Sequence, residues 1–291
     1  MIAISLETLL KVTGGETLAN KERLSFRGIE YDSRQIKGGE LFVALKGETT
    51  HGHQFVRAAL DQGAALCLVE EREIFAGQPE SSRLVFVPDT LQAFWTLASY
   101  WRDKLGTPIA AVTGSVGKTT VKEIAACILL KHSRGAYSRK SFNNQVGVPY
   151  SLCALAPEHQ WGVLELGMNH PGEIKLLSKI VKPDVAVVTA IAPAHMEFFN
   201  SLADIADAKL EILEGLRAGG TLVVNGDDPE LVAGLSRSAE SDFDLQRYGQ
   251  KAGSDLQIKA VNQESEEAIE FALDGVVSIP DLRLNLLGGH N

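Results

Sequence analysis

Apolar, β-branched runs alternate with stretches of helical spacing along most of this chain. We predict strands at 41–45, 65–69, 84–87, 109–112, 163–166, 185–188 and 222–224. We predict helices at 55–60, 91–105, 121–130, 174–180 and 202–216. Parallel strands are usually joined by a helical crossover, so this alternation predicts an α/β fold with a mostly parallel sheet and helices on both faces.

A polar stretch at 77–83, GQPESSR, is the best candidate for a domain boundary. The chain has 291 residues, enough for two domains of ordinary size. We predict a small N-terminal α/β domain over 1–82 and a larger P-loop-type domain over 83–291. Short strands predicted at 244–248, 256–261, 268–273 and 282–287 suggest an antiparallel appendage to the main sheet. The last predicted strand runs into a Gly-Gly turn at 288–289, and such a turn normally leads to further chain. We therefore expect the natural protein to extend beyond residue 291.

The composition argues against several classes of protein. The chain has 28 Lys and Arg against 37 Asp and Glu, a net charge of −9, which disfavours non-specific binding to nucleic acid. Three widely spaced cysteines predict neither a disulfide framework nor a zinc site. The N-terminus lacks a basic leader, and the longest run without charges, 141–157, contains Asn, Gln and Pro. We expect a cytoplasmic monomer that has no membrane span and binds no nucleic acid.

The strongest motif is IAAVTGSVGKTT at 109–120, a predicted strand, a glycine-bearing loop and the start of a helix. Such a loop points backbone N–H groups at phosphate, and the helix N-terminus favours negative charge. Lys118 supplies a cation, and the Thr119 hydroxyl can hold Mg²⁺. The loop is shorter than the usual G-x-x-x-x-G-K-[ST], because Val112 stands where that pattern has glycine. The alternative is a chance Gly/Lys turn. The predicted nucleotide contacts are Thr113, Gly114, Ser115, Val116, Gly117, Lys118, Thr119 and Thr120.

Two polar residues lie at or beyond the ends of predicted strands. Glu165 ends one apolar strand, and His195 comes after the next. In open α/β sheets, ligands bind outside the carboxyl ends of the strands, which favours a metal role for both residues. The alternatives are a solvent-facing carboxylate and a hydrogen-bonded structural histidine.

Three further features are ambiguous by themselves. Lys209 lies in a predicted helix, where spacing alone favours a solvated surface charge. By themselves, Asn143 and Asn144 indicate a turn. The segment NGDDP at 225–229 is either a turn with a helix cap or a loop that contacts a nucleotide.

Taken together, these motifs resemble the Mur ligase family. The matching segments are TGSVGKTT at 113–120, SFNNQVGVP at 141–149, ELGMNHPGEI at 165–174, AHMEFF at 194–199, AKLEIL at 208–213 and NGDDP at 225–229. Near the N-terminus, YDSR at 31–34, GELFVALKG at 39–47 and GHQF at 52–55 resemble the family's UDP-sugar domain. His51 stands where the family often has Asp, and Ser141 where Asn is common. The resemblance implies three domains, and we expect the C-terminal one to be absent here.

The resemblance also implies an activity. It points to an ATP-dependent, ADP-forming ligase that adds D-Ala-D-Ala to UDP-N-acetylmuramoyl-tripeptide through an acyl phosphate, in peptidoglycan precursor synthesis. Lys118, His195 and Lys209 would be catalytic. Thr119 and Glu165 would hold one Mg²⁺, and His195 with a carbamylated Lys209 a second. Asn225 would contact adenine. The implied substrate contacts are Ser33, Arg34, Lys46, Gly52, His53, Asn143 and Asn144.

Three alternatives stay open at this stage. The chain could be a non-catalytic module that binds nucleotide or a UDP-sugar. It could resemble folylpolyglutamate synthase, which shares the phosphate loop but lacks the Asp-Ser-Arg domain. A P-loop kinase or GTPase is disfavoured by the short loop and by the lack of an N-K-x-D motif.

Overall fold

The computed structural model describes residues 3–18, 24–47, 50–70, 72, 82–194, 196–237, 242–265 and 268–284. The strands are β1 (Ile4–Ser5), β2 (Glu16–Thr17), β3 (Ser25–Phe26), β4 (Ile29–Glu30), β5 (Leu41–Val43), β6 (Leu66–Val69), β7 (Leu84–Phe86), β8 (Ile109–Thr113), β9 (Ala136–Tyr137), β10 (Gly162–Glu165), β11 (Val185–Val188), β12 (Gly220–Asn225), β13 (Phe243–Gly249), β14 (Leu256–Ser265), β15 (Ala268–Gly275) and β16 (Ile279–Leu284). The α-helices are α1 (Leu6–Thr13), α2 (Val56–Asp61), α3 (Thr90–Lys104), α4 (Lys118–Leu130), α5 (Gly147–Cys153), α6 (Glu173–Val181), α7 (Leu202–Leu210) and α8 (Pro229–Arg237). Short 3₁₀ helices cover Ser33–Gln35, Gly52–Phe55 and Glu211–Glu214.

The chain forms two compact units. The first contains residues 1–107 and 146–160, and the second contains 108–145 and 161–291. The division therefore lies at 107/108 rather than at 82/83. Two contacts explain the difference: β7 pairs in parallel with β6, and the indole nitrogen of Trp101 in α3 donates to the Leu155 carbonyl oxygen over 3.0 Å. Most of the expected linker, 77–81, lies outside the described residues. The functions predicted for the two domains stay predictions.

A five-stranded sheet forms the core of the first unit. Its order is β2-β7-β6-β5-β4, in which β4 to β7 run parallel and β2 runs antiparallel to β7. Every residue of β5, β6 and β7 is buried. Continuous burial is expected for strands that are covered on both faces, and it explains why these runs are apolar without alternation.

A nine-stranded sheet of order β16-β15-β14-β13-β12-β11-β8-β10-β9 forms the second unit. All neighbouring pairs from β9 to β14 are parallel. The predicted α/β class with a mostly parallel sheet is thus confirmed. No helix in the described ranges combines the length and the apolar character needed to cross a bilayer.

The predicted antiparallel appendage is partly wrong. The strand expected at 244–248 is β13, which runs parallel to β12, and β14 is parallel to β13. Only the pairs β14–β15 and β15–β16 are antiparallel. For β13 the physical reason is α8, which the strand and helix predictions omitted. A helix between β12 and β13 brings the chain back in the same direction, as in any βαβ unit. Residues 285–287 of the last predicted strand lie outside the described part.

The parallel strands place the candidate site. β8 lies between β10 and β11, and β12 follows β11. Their registers align Glu165 with Val112 and Val188 with Thr113, so the carboxyl ends of these strands share one edge of the sheet. Such an edge is where open α/β sheets bind ligands.

Candidate nucleotide and metal site

The loop between β8 and α4 requires glycine at two positions. Gly114 has φ 144° and Gly117 has φ 83°, a region that residues with a Cβ rarely adopt. A Cβ at residue 114 would also overlap the hydroxyl oxygen of Thr189. Gly117 is the N-cap of α4, which begins at Lys118. The loop therefore presents its backbone at a helix N-terminus, where phosphate binds well.

The loop is tied to the strand beside it. Thr189 follows β11, and its Oγ1 donates to the Val116 carbonyl oxygen over 2.6 Å. The backbone N–H of Ser115 donates to the Ala190 carbonyl oxygen over 2.8 Å. Sequence reasoning missed Thr189. The signal was available, because Thr189 directly follows the predicted strand 185–188, at the strand end where ligands are expected.

Polar groups inside the loop lack partners. Thr113 Oγ1 and Ser115 Oγ are buried and have no hydrogen-bond partner in the described structure. Buried hydroxyls without partners are costly, so these two indicate a polar ligand. The Lys118 ammonium donates to the carbonyl oxygens of Gly114 (2.7 Å) and Ser115 (3.1 Å). Burial lowers the pKa of Lys118, and attraction to Glu165 partly offsets this. The loop thus holds a cation and unsatisfied hydroxyls together, as a phosphate site requires.

Glu165 is brought to this loop by the sheet. It ends β10 with 1% of its surface exposed. Its Oε2 accepts a hydrogen bond from Thr119 Oγ1, and its Oε1 accepts one from Asn143 Nδ2, both over 2.9 Å. A Cβ at Gly167 would lie 2.8 Å from the Asn143 side chain, so glycine there makes room for Asn143. The predicted residues Thr119, Asn143 and Glu165 therefore form one cluster, and the solvent-facing alternative for Glu165 is wrong.

Sequence reasoning also missed Lys122. This residue is buried, and its Nζ lies 3.6 Å from Glu165 Oε2. The available signal was helical spacing, since Lys122 lies three residues after Thr119 and on the same face of α4.

The cluster fits one Mg²⁺ ion in its chemistry. A threonine hydroxyl and a carboxylate are the oxygen ligands that this ion prefers, and it commonly keeps water and phosphate oxygens as its other ligands. Among the described residues, no group of three or more His, Cys, Asp or Glu could hold a metal ion. Thr119 and Glu165 would therefore supply only part of a coordination shell.

Lys209 is buried in the last turn of α7, with 2% of its surface exposed. The surface alternative for this residue is wrong. Burial and repulsion from Lys118 lower its pKa to about 7, against the opposing attraction of Glu173 and Glu211. The lowered pKa favours the uncharged amine of Lys209 at a lower pH than for an ordinary lysine. His195, the other residue predicted for a second ion, lies outside the described residues.

The segment 225–229 is a turn with a helix cap. Asp228 Oδ1 accepts hydrogen bonds from the N–H groups of Glu230 (3.0 Å) and Leu231 (3.2 Å) in the first turn of α8. Its Oδ2 accepts from the Ile191 N–H over 2.7 Å. Asn225 is the last residue of β12 and lies at the same edge of the sheet as Glu165. Its contact with adenine stays a prediction.

Comparison with known proteins decides the family. Residues 112–291 match the model for the Mur ligase middle domain, and residues 25–92 match the model for the Mur ligase family catalytic domain. The chain belongs to the Mur ligase family.

Individual Mur ligases are similar over all or nearly all of this chain. It is 36% identical over 293 residues to the UDP-N-acetylmuramoyl-tripeptide–D-alanyl-D-alanine ligase of Bacillus subtilis (strain 168). This alignment covers 100% of this chain and 62% of that relative. A crystal structure of MurF from Acinetobacter baumannii superposes with a TM-score of 0.87 at 30% identity, covering 100% of this chain and 62% of the other. MurF ligase from Thermotoga maritima in complex with ADP gives a TM-score of 0.77 at 28% identity, covering 91% and 60%. The chain thus spans less than two thirds of each of these proteins.

Two of the predicted substrate contacts, Ser33 and Arg34, lie in the 3₁₀ helix Ser33–Gln35 of the first unit. Ser33 is buried, whereas the Arg34 side chain is 83% exposed. The Arg34 guanidinium donates to Asp32 through Nε (2.8 Å) and Nη2 (2.6 Å). Hydrogen bonding to Arg34 lowers the pKa of Asp32, although partial burial opposes this. Arg34 is therefore held by its neighbour and still reaches solvent.

The remaining N-terminal candidates, Lys46, Gly52 and His53, lie where two backbone segments approach each other closely. Lys46 forms an isolated antiparallel bridge with His51. A Cβ at Gly52 would lie 2.6 Å from the Leu45 carbonyl oxygen, so only glycine fits there. His53 is buried, and its Nε2 accepts a hydrogen bond from the Glu70 N–H over 2.9 Å. This bond gives His53 a structural part, and its contact with substrate stays a prediction. In the second unit, Asn144 is exposed next to Asn143.

Proposed function

We propose that this chain is the ATP-binding and UDP-precursor-binding part of an ADP-forming ligase that joins D-Ala-D-Ala to UDP-N-acetylmuramoyl-tripeptide. The observation that carries the proposal is the cluster of Thr119 and Glu165 in a phosphate loop region where the Thr113 and Ser115 hydroxyls are buried without partners. The similarity to the Bacillus subtilis ligase and to the Thermotoga maritima protein, which was crystallised with ADP, supports it. The cytoplasmic location stays a prediction.

The chemistry explains why a phosphate site is needed. A carboxylate is a poor electrophile, and it becomes reactive when one of its oxygens bonds to the γ-phosphorus of ATP while the bond to ADP breaks. The amine nitrogen of D-Ala-D-Ala then bonds to the acyl carbon, phosphate leaves, and the nitrogen loses a proton. In the first step two anions approach each other. Lys118 and the N-terminus of α4 would offset that repulsion, since preorganised positive charge stabilises a transferring phosphoryl group.

The proposed metal ligands serve the same purpose. Thr119 and Glu165 would hold one Mg²⁺, which when bound neutralises phosphate charge. His195 and a carbamylated Lys209 would hold a second ion. An uncharged Lys209 amine can add CO₂, forming an N–C bond and losing a proton, and the product carries carboxylate oxygens. The lowered pKa of Lys209 supports this step, because only the neutral amine reacts.

The N-terminal unit would bind the UDP-sugar peptide. The planar guanidinium of Arg34 suits an anionic group such as a diphosphate or a carboxylate. Ser33, Lys46, Gly52 and His53 are the other proposed contacts in this unit. Asn143 and Asn144 would line the site close to Glu165, since Asn143 already contacts that carboxylate.

Calorimetry on the 291-residue chain tests the binding part of the proposal. We expect separate, saturable binding of ADP with Mg²⁺ and of UDP-N-acetylmuramoyl-tripeptide. Absence of either would contradict the proposal.

Turnover is tested with a chimera that carries the remaining part of the Bacillus subtilis relative. Phosphate release from ATP should require both the tripeptide precursor and D-Ala-D-Ala. Release with folate and glutamate instead would favour the folylpolyglutamate branch. Precursor binding without any turnover of the chimera would favour a non-catalytic module.

A further inference from the structure

Lys122 is a fully buried lysine whose ammonium faces three oxygen atoms. Its Nζ donates to the Lys140 carbonyl oxygen over 2.7 Å. The same nitrogen lies 3.1 Å from Glu123 Oε1 and 3.6 Å from Glu165 Oε2. An ammonium group has three donors and no acceptor, so it suits a site where one carbonyl oxygen and two carboxylates converge. Lys122 has no part in the function proposed above.

The ion pair between Lys122 and Glu165 is buried on both sides. Their exposed side-chain fractions are 0% and 1%. Either charge alone would be costly at such a position, so each compensates the other. Lys122 and Thr119 approach the same oxygen of Glu165, at 3.6 Å and 2.9 Å. This is the oxygen beside the hydroxyl that we assign to Mg²⁺.

This arrangement disfavours a divalent cation in the absence of nucleotide. The ion would bind a carboxylate whose charge Lys122 already offsets in part, since Lys122 also pairs with Glu123, and it would lie close to that ammonium. Like charges at such distances repel appreciably even when the effective dielectric constant is high. The phosphates of a nucleotide bring several negative charges and further oxygen ligands, which reverses the balance.

We propose that Lys122 is the resident counter-cation of Glu165, and that it makes divalent-metal binding at this carboxylate depend on bound nucleotide. Lys122 is a positioning residue, since it acts through Glu165 and not on the nucleotide. The inference rests on the proposed function in one respect, namely that Glu165 is a metal ligand.

The test measures Mn²⁺ binding to the 291-residue chain by water-proton relaxation enhancement, with and without ADP. We expect the unmodified chain to bind Mn²⁺ with ADP, and to bind it at least about tenfold more weakly without ADP. Lys122→Met should tighten Mn²⁺ binding without ADP by about tenfold or more. Adding Glu165→Gln to Lys122→Met should remove this gain. The control is Lys131→Met, which changes an exposed lysine just after α4 and should match the unmodified chain.

A second variant covers a failure of Lys122→Met to fold. Lys122→Gln keeps a donor for the Lys140 carbonyl oxygen and removes the charge, so the same gain is expected. A purely structural role for Lys122 would give no gain in either variant. Neutral variants that bind Mn²⁺ no more tightly than the unmodified chain would overturn the inference and leave the proposed function standing. If the unmodified chain bound no Mn²⁺ even with ADP, both would fail.

Discussion

Thr189 Oγ1 donates to the Val116 carbonyl oxygen over 2.6 Å, and this bond joins the end of β11 to the phosphate loop. The same hydroxyl occupies the space into which a Cβ at residue 114 would point. The shape of the loop therefore depends on a residue more than seventy positions further along the chain. Glycine at 114 is required by this neighbour as well as by its own backbone angle.

The first prediction concerns Gly114. Gly114→Ala should weaken Mg²⁺–ADP binding by at least about tenfold, because the new methyl overlaps Thr189 and the backbone has φ 144°. Titration calorimetry measures the loss. Gly106→Ala is the control, since a Cβ at Gly106 would meet nothing within 4 Å. Thr189→Ala in the Gly114→Ala background should recover part of the binding. Unchanged affinity in Gly114→Ala would contradict the account of the loop.

The second prediction concerns Glu165. Glu165→Gln should weaken ADP binding in the presence of Mg²⁺ by about tenfold or more, since an amide is a poor replacement for a metal-binding carboxylate. Binding in EDTA should change by less than about twofold, because Glu165 does not belong to the phosphate loop. Glu158→Gln, an exposed site in the first unit, is the control. Equal losses with and without Mg²⁺ would show that Glu165 acts only structurally.

The third prediction is a pH dependence of stability caused by Lys209. Its pKa is about 7 in the folded chain, against an ordinary value of 10.5. Between these values the unfolded chain keeps a proton that the folded chain has lost, so the free energy of unfolding rises with pH. Below about pH 7, both states carry the proton and the destabilisation is complete.

Urea unfolding from about pH 6 to about pH 9 measures this slope. Subtracting the curve of Lys209→Met isolates the contribution of Lys209, and Lys131→Met is the control. The difference between the unmodified chain and Lys209→Met should grow more favourable to the unmodified chain as pH rises. A difference that stays flat over this range would mean that Lys209 titrates normally.

The fourth prediction separates the role of Asn225, the last residue of β12, from that of Asp228, which follows the strand. Asp228→Ala should lower the free energy of unfolding by about 1–3 kcal/mol, since it removes the cap of α8 and the acceptor for the Ile191 N–H. Asn225→Ala should weaken ADP binding several-fold, with a smaller loss of stability. Denaturant unfolding and ADP titration are run on both variants, with the exposed Asp61→Ala as control. If Asn225→Ala bound ADP normally, the adenine contact would be wrong.

Much of the candidate site could be predicted because its signals are local. The phosphate loop is one continuous motif, 113–120, and the rule about strand ends found Glu165 without knowledge of its partners. Lys209 shows the limit. Helical spacing gives the face on which a residue lies, but it does not tell whether another part of the chain covers that face.

The domain boundary and the last strands show the same limit on a larger scale. A polar stretch indicated a boundary at 82/83, yet β7 pairs with β6, and Trp101 in α3 bonds Leu155, 54 residues away, so these segments belong with the first unit. The strand β13 turned out parallel because α8 precedes it.

The sequence by itself determined the alternation of strands and helices, the phosphate loop and the order of the family motifs, since each depends on residues close together along the chain. Only the tertiary structure decided that Lys122 pairs with Glu165, that Thr189 braces the loop and that Lys209 is buried. Those features depend on which distant segments the parallel sheet brings to one edge. In such contacts, burial removes water from charged groups and leaves neighbouring side chains to compensate them.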